Sequence, residues 1–298
     1  MKSIAVQFFG HLRTFDKTYK SFFKNVVEPN IADGYTVDIF IHTWDEREHS
    51  TISFRNPKGE IMNNSLLIEK DRKLLEKIYQ PKKILIEKQR ACEEKVFFEK
   101  LYNSKKSLCG LLNMVYTIYK SNELRENYGG KTYDWVIVTR PDIEFFTPFR
   151  INAFLDAYEK SKIPIPNNAV FYGTKIFSRA KVDDIKFIGG SDLVYFGKPE
   201  SISRATRLYN DWYKINQCID IIKPETFWSF ESWYMQYWKE QGLIPLAIDY
   251  ATIRDFYPRF NNTKLSFFNF IYKLKKWFLN LMLYILPYNF ILWLKNKK

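Results

Sequence analysis

Cysteine is scarce in this chain, with three residues among 298 and no metal-like spacing between Cys92, Cys109 and Cys218. An odd, unpatterned set favours a reducing, cytosolic compartment over a disulfide framework. The first ten residues have too short an apolar run, and no small-residue cleavage site, for a secretory signal. They are therefore predicted to form a first strand.

Several sequence motifs are also missing. The chain has no GxGxxG or GxxxxGK[ST] segment, which excludes the usual dinucleotide fingerprint and the P-loop. Its three histidines lack HExxH spacing and no GxSxG segment occurs, which argues against a zinc hydrolase and a serine hydrolase. No RRM, OB, KH or zinc pattern accompanies the basic charge, so we predict that nucleic acid is not a partner.

The basic charge is unevenly distributed. The formal net charge is +13, and residues 261–298 contribute seven lysines and no acid. In this segment apolar residues recur three and four apart from Phe267 to Ile285, with lysine and asparagine on the opposite side. That pattern is typical of a basic amphipathic helix lying in a lipid headgroup layer. Packing on the protein's own core and a membrane span over 277–294 are the alternatives, and Pro287 argues against the span.

What the sequence does contain is an alternation of strand and helix patterns. Hydrophobic residues make up 46% of the chain, which is enough for a full core. Alternation predicts βαβ units and a mainly parallel sheet with helices on both sides. The predicted strands are 3–9, 37–43, 83–87, 134–139, 169–172, a segment within 188–197, and 244–249. The predicted helices are 16–27, 66–79, one or two within 93–128, 151–161, 199–215 and 227–241, with a basic polar loop over 174–186.

The most informative segment is Asp134–Phe146, where a β-branched apolar run ends at Arg140 and Pro141. Pro141 removes a ladder donor, so the strand should end there. If Asp142 and Glu144 stay extended, their carboxylates project to one face and can meet one divalent cation. The alternative is an ordinary strand exit with two solvated acids.

Two further polar segments follow predicted strands. Gly10, His11 and Arg13 lie between the first strand and its helix, where a glycine permits close backbone approach and an arginine can clamp a phosphate. His42 ends the second predicted strand at the same sheet edge. A purely structural turn and a satisfied packing histidine are the alternatives.

Two carboxylates later in the chain complete the candidate set. Asp192 follows a Gly-Gly turn that would let the backbone approach a ligand, although such an Asp also commonly bonds its own backbone. Glu231 lies early in an aromatic helix, where apolar surroundings can raise a carboxylate pKa toward general acid–base work. The alternative for Glu231 is a charge that complements the helix dipole.

Taken in order, five segments resemble a known family. They are FGHLRTF, VDIFIHTWD, WVIVTRPDI, GGSDLVYFG and FESW, spread over roughly residues 3–255. The set resembles bacterial glycosyltransferases of the GT-A type that build capsule or lipopolysaccharide. The resemblance implies a Rossmann-type catalytic domain over 1–260, with a nucleotide-sugar-binding half (1–150) and an acceptor half (151–260). The tail, 261–298, would then bind the membrane.

The same resemblance implies transfer of a sugar from a nucleotide-diphosphate donor to a glycan or lipid-linked glycan. A DxD-like motif binds Mn²⁺ or Mg²⁺ in that family, and Asp142 and Glu144 occupy its place here. Because Arg140 precedes it, the cation could be dispensable, with Arg140 or Arg13 neutralising the diphosphate. Asp192 would orient hydroxyls and Glu231 would act as base, at the inner face of the cytoplasmic membrane. A transferase of phosphate-containing groups and a non-catalytic membrane scaffold are the rival hypotheses.

Overall fold

A computed structural model describes eight segments of the chain: residues 2–48, 66–89, 109–175, 181–182, 185–186, 190–211, 230–252 and 254–258. The described residues belong to one compact unit that spans residues 1–258. The predicted tail and its boundary at 260/261 lie outside the described residues. Within the part described, no helix is both long and apolar enough to cross a bilayer.

Strands and helices alternate through most of the unit. The strands are β1 (Lys2–Phe8), β2 (Tyr35–Trp44), β3 (Lys83–Glu87), β4 (Trp135–Thr139), β5 (Ile143–Phe145), β6 (Ala169–Lys175), β7 (Lys181–Val182), β8 (Ile185–Lys186), β9 (Gly190–Gly197), β10 (Ile244–Thr252) and β11 (Phe256–Pro258). The helices are α1 (Phe15–Phe22), a π-helical turn (Phe23–Val27), α2 (Glu28–Ala32), α3 (Glu69–Tyr79), α4 (Cys109–Glu126), α5 (Ile151–Lys160), α6 (Pro199–Ala205) and α7 (Phe230–Glu240).

Nine strands form one sheet in the order β3-β2-β1-β4-β9-β6-β10-β11-β5. Seven of them share one direction, while β9 and β5 pair antiparallel to their neighbours. Apolar side chains from the two sheet faces enter two separate clusters. Helices α1, α2, α3 and α5 cover one face, and α4, α6 and α7 cover the other. The predicted mainly parallel α/β architecture with helices on both faces is therefore confirmed.

Burial on both faces explains why β4 reads as an unbroken apolar run. All five of its residues are buried, with Trp135 and Ile137 in one core cluster and Val136 and Val138 in the other. A strand that is covered on both sides needs apolar side chains at every position. The strand ends at Thr139, two residues before Pro141, whose missing N–H cannot continue the ladder.

Several predicted boundaries differ from the structure: the helix predicted over 66–79 begins at Glu69, for example, and the strand predicted over 244–249 runs to Thr252. The first helical region continues past Val27 through α2, because Pro29 occupies the first turn of that helix, where its missing N–H costs nothing. The segment 174–186 is not all loop: β6 runs to Lys175, and β7 pairs with β8. Hydrogen-bonding partners on β10 extend β6 beyond its apolar run.

The strand order changes direction beside β1. Strands β2 and β3 lie to one side of it, and β4 lies to the other. In open α/β sheets such a switch point opens a crevice at the carboxyl ends of the two strands. The segments that leave β1 and β4 therefore line the position where this fold most readily binds a ligand.

Asn30 ties the helical region after β1 to the loop before α5. Its amide nitrogen donates to Val26 O and Phe149 O, both at 2.7 Å, and its oxygen accepts from Ile151 N at 3.1 Å.

We expect Asn30→Ala to lower the free energy of unfolding by about 2–4 kcal/mol, because buried backbone groups lose their partners. Urea unfolding measures this, with the exposed Asn167→Ala as control. Equal losses in the two variants would contradict the assignment.

Candidate functional site

The turn after β1 forms one wall of the switch-point crevice. Gly10 has φ +85°, in the left-handed region where a side chain is strained. Arg13 also has a positive φ, 44°, which is uncommon for a residue other than glycine. Its backbone N–H donates to Arg47 O at 3.0 Å, which joins this turn to the segment after β2. The turn therefore presents the Arg13 side chain in a fixed direction.

The turn after β4 forms the other wall and is centred on Asp142. This carboxylate is completely buried and accepts hydrogen bonds from two arginines. Arg140 donates through Nε to Oδ1 at 2.9 Å and through Nη2 to Oδ2 at 2.5 Å. Arg13 donates through Nη1 to Oδ2 at 3.0 Å. The two walls are thus joined by one carboxylate.

Helix α1 fixes the position of the second wall. Thr18 Oγ1 donates to Pro141 O at 2.6 Å, which attaches the turn after β4 to the helix after β1. Thr18 is itself fully buried, so this bond is sheltered from water. The turn that carries Asp142 is therefore held by this bond to α1 as well as by the two arginines.

Charge pairing dominates the electrostatics of this site. Burial raises the pKa of Asp142, but the guanidinium groups of Arg140 and Arg13 outweigh it and hold that pKa below its usual range. Burial lowers the pKa of Arg13, and Asp142 and Glu48 more than compensate, so its pKa is raised. Asp142 and Arg13 are therefore charged near neutral pH.

Glu48 completes the group on the solvent side. Arg13 Nε lies 2.7 Å from Glu48 Oε1 and 2.8 Å from Oε2. The Glu48 side chain is 18% exposed, whereas that of Asp142 is fully buried. The two arginines and two carboxylates sum to zero formal charge. An anionic ligand would thus meet a neutral group whose outer carboxylate is the more accessible one.

None of the contacts described so far links His42 to the two arginines. It is fully buried beneath α4, where a hydrogen bond joins its Nε2 to Glu87 Oε2 at 2.7 Å. Tyr116 on α4 donates to the same Glu87 oxygen at 3.0 Å and stacks on Trp44 with ring centroids 5.6 Å apart. His11, in contrast, lies in the turn after β1, with Nε2 3.1 Å from Gln89 Oε1. Phosphate binding by His42 and His11 stays a prediction.

The residues predicted to hold a cation do not form one extended segment. Asp142 lies in the turn after β4, whereas Glu144 lies in the middle of β5, opposite Tyr257. Both oxygens of Asp142 accept from guanidinium groups, so cation binding there would require an arginine to move away. Among the described residues no three His, Cys, Asp or Glu side chains gather as a metal site would require. Cation binding by Asp142 and Glu144 stays a prediction.

For Asp192 and Glu231 the structure gives the position of each residue in the fold. Asp192 is half-buried near the start of β9, and that strand runs antiparallel to β4. Its start therefore lies at the carboxyl edge of the parallel strands, the edge that carries Arg140. The backbone of Glu231 belongs to α7, and its side chain lies outside the described residues. Their catalytic roles stay predictions.

Two residues of the site, Glu48 and Thr18, were not among the candidates predicted from the sequence. Glu48 follows β2 in a charged run, Asp45-Glu-Arg-Glu48, and that run was the available signal. Thr18 carries no signal, because a threonine on the buried side of a helix commonly packs or bonds its own helix. Both act through partners more than 30 residues away in sequence.

No protein-family model matches the chain, and no curated protein is significantly similar to it.

Removal of the Asp142 carboxylate tests how much its ion pairs stabilise the fold. We expect Asp142→Ala to lower the free energy of unfolding at neutral pH by about 3–5 kcal/mol, because two buried guanidinium groups lose their counter-charge. Since the folded pKa is depressed, the wild-type pair stabilises the fold above the unfolded aspartate pKa of about 3.9. Its contribution is lost as the pH falls through the lower folded value. Urea unfolding at neutral and acid pH measures both effects.

The matched control removes an aspartate from another Asp–Arg pair. Asp33 pairs with the half-exposed Arg150, away from the candidate site. Asp33→Ala should cause a smaller loss, since the half-exposed Arg150 is solvated by water once its partner is removed. A loss from Asp142→Ala no larger than that of the control would contradict the central role of the buried carboxylate.

Proposed function

We propose that this protein is a glycosyltransferase that moves a sugar from a nucleotide-diphosphate donor to a surface glycan, with a GT-A-like catalytic unit. One observation carries the proposal. Two arginines, one from each wall of the switch-point crevice, are oriented by a single buried carboxylate. Guanidinium groups fixed in this way match the planar, bidentate geometry of phosphate oxygens.

The position of the arginines supports an anionic, phosphate-bearing ligand. Ligands of open α/β sheets bind beyond the carboxyl ends of strands at the switch point. Gly10 has open space where a side chain would lie: apart from its two chain neighbours, no described residue comes within 4 Å of that position. The amino end of α1 follows directly, and helix amino ends favour negative charge. A diphosphate fits these features better than a neutral ligand does.

In this proposal Asp142 orients the arginines rather than binding a metal. The diphosphate exchanges with Glu48 on the solvent side of Arg13, because Glu48 is the exposed carboxylate of the group. Arg13 and Arg140 then stabilise the negative charge that develops on the departing nucleoside diphosphate. Charge stabilisation by groups already in position requires little reorganisation as the bond breaks.

The remaining roles follow from the resemblance. Asp192, at the same sheet edge, orients a donor or acceptor hydroxyl, and Glu231 removes the acceptor proton in an inverting displacement. The acceptor is a glycan or lipid-linked glycan, reached where the predicted tail binds the inner face of the cytoplasmic membrane. The α/β architecture supports this reading by analogy, since one fold serves many activities.

A thermal-shift panel with the full chain tests the donor site. UDP-, GDP-, CMP- and TDP-sugars are added with and without Mn²⁺. A donor at 100 times its Kd should stabilise the protein by about 2.7 kcal/mol, a rise in Tm of about 5–10 °C. Arg140→Ala should abolish the shift, whereas Arg150→Ala, which removes an exposed arginine paired with Asp33, should leave it unchanged.

The outcomes separate the alternatives. A shift that requires Mn²⁺ and is lost in Asp142→Asn would restore the metal assignment for Asp142. Absence of a shift with every donor at millimolar concentration would contradict the glycosyltransferase proposal. A donor-induced shift that survives Arg140→Ala would place the donor elsewhere on the protein.

If the diphosphate replaces Glu48 at Arg13, removal of the Glu48 charge should increase the affinity for the nucleotide. We expect Glu48→Gln to tighten binding of the active nucleotide about three- to tenfold, because the ligand no longer competes with a carboxylate. Isothermal titration with wild type, Glu48→Gln and the exposed control Glu159→Gln measures the difference. Weaker binding in Glu48→Gln would instead show that Glu48 holds Arg13 in its binding position.

A further inference from the structure

A set of lysines forms one continuous basic surface on the sheet face covered by α1 and α3. They recur three and four residues apart on each helix, so that each set forms one stripe. We call the two stripes together the lysine face; its members are Lys17 and Lys20 on α1, Lys24 on the π-helical turn that follows α1, and Lys70, Lys73 and Lys77 on α3. All six side chains are exposed.

Helix geometry shows that both stripes point away from the core. The buried side of α1 carries Phe15, Thr18 and Phe22, and that of α3 carries Leu75 and Tyr79. At 3.6 residues per turn, the lysines of each helix lie almost directly opposite these buried residues. Because both helices cover the same sheet face, the two stripes project in the same direction.

Contacts between the helices bring the stripes side by side. Arg47 lies 2.7 Å from Asp71 at the start of α3 and 4.0 Å from Asp16 at the start of α1. Phe23, directly after α1, stacks on Tyr79 with ring centroids 5.9 Å apart. The two helices are thus joined near both ends, so their outer faces form one surface.

The surface has a clear excess of positive charge. Across residues 15–32 and 69–79, the exposed side chains include seven basic and three acidic residues. Lys73 pairs with Glu69 at 3.7 Å. For Lys17, Lys20 and Lys24, no ion pair with an acid is seen within the described segments. The exposed ammonium groups of these lysines carry the proposed contact with an anionic partner.

Exposed aliphatic side chains border the lysine face. Leu66 is 62% exposed and Ile68 is 59% exposed, immediately before α3 begins. Large aliphatic side chains beside lysines suit a lipid headgroup layer, where the aliphatic groups insert and the ammonium groups meet lipid phosphate. A nucleic-acid surface would instead favour stacking aromatics and arginines.

We propose that the lysine face, with Leu66 and Ile68, binds an anionic lipid membrane directly. This contact belongs to the folded unit, is separate from the predicted tail, and does not depend on the proposed activity. The helices that carry it begin at the carboxyl edge of the sheet, so the candidate site lies beside the bound membrane. A lipid-linked acceptor would then reach the site along the bilayer surface.

Vesicle co-sedimentation of the full chain tests the proposal. Wild type should bind vesicles of equimolar phosphatidylcholine and phosphatidylglycerol, with weaker binding at high salt. Each lysine near an anionic surface contributes about fivefold in affinity, so Lys17→Gln/Lys20→Gln/Lys24→Gln should reduce partitioning at least about tenfold. Leu66→Ser/Ile68→Ser should also reduce it, and serine at position 68 is a favourable helix cap, so folding is preserved.

The control variant removes the same number of positive charges from the helices that cover the other face of the sheet. Arg204, Arg207 and Lys239 are exposed on or next to α6 and α7, and their replacement by Gln should leave partitioning near that of wild type. Equal losses in the two triple variants, or equal partitioning of the α1 variant and wild type, would overturn the proposal. Full vesicle binding by Leu66→Ser/Ile68→Ser would also overturn it, because the contact would then rest on charge alone.

Discussion

The arrangement of the candidate site depends on the double ion pair at Asp142. This fully buried carboxylate accepts hydrogen bonds from Arg13 and Arg140, which leave different strands of the sheet. An isolated buried charge is very costly, so each member of the group requires the others. The segments after β1 and β4 are therefore held together at the switch point, and the left-handed backbone of Arg13 is maintained by its partners.

The same pairing changes how the acidic motif is understood. Two carboxylates after a buried strand suggest a cation site, because Mg²⁺ and Mn²⁺ prefer oxygen ligands. With both oxygens of Asp142 engaged by guanidinium groups, the proposed role of the motif is instead to orient the two arginines. In that proposal Glu48 is the exchangeable carboxylate, since it meets solvent while Asp142 does not.

Much of the fold could be predicted from local patterns. The strand at 83–87 and the helix at 151–161 were placed within a residue of β3 and α5, since apolar periodicity and flanking turns define them. Predictions were less accurate where tertiary contacts extend an element, as at Lys175 on β6. Of the candidate residues, Arg13, Arg140 and Asp142 come together, whereas His42 lies in a separate buried cluster under α4.

The sequence by itself determined the α/β class, the end of β4 at Pro141 and the polar turns that follow β1 and β4, because burial, proline and glycine act locally. Only the tertiary structure decided which charged groups meet. Arg13 and Asp142 are 129 residues apart, and Arg13 and Glu48 are 35 apart. No periodicity encodes such pairs, because they arise from strand order and helix packing across the whole sheet. The lysine face likewise exists only because α1 and α3 pack side by side.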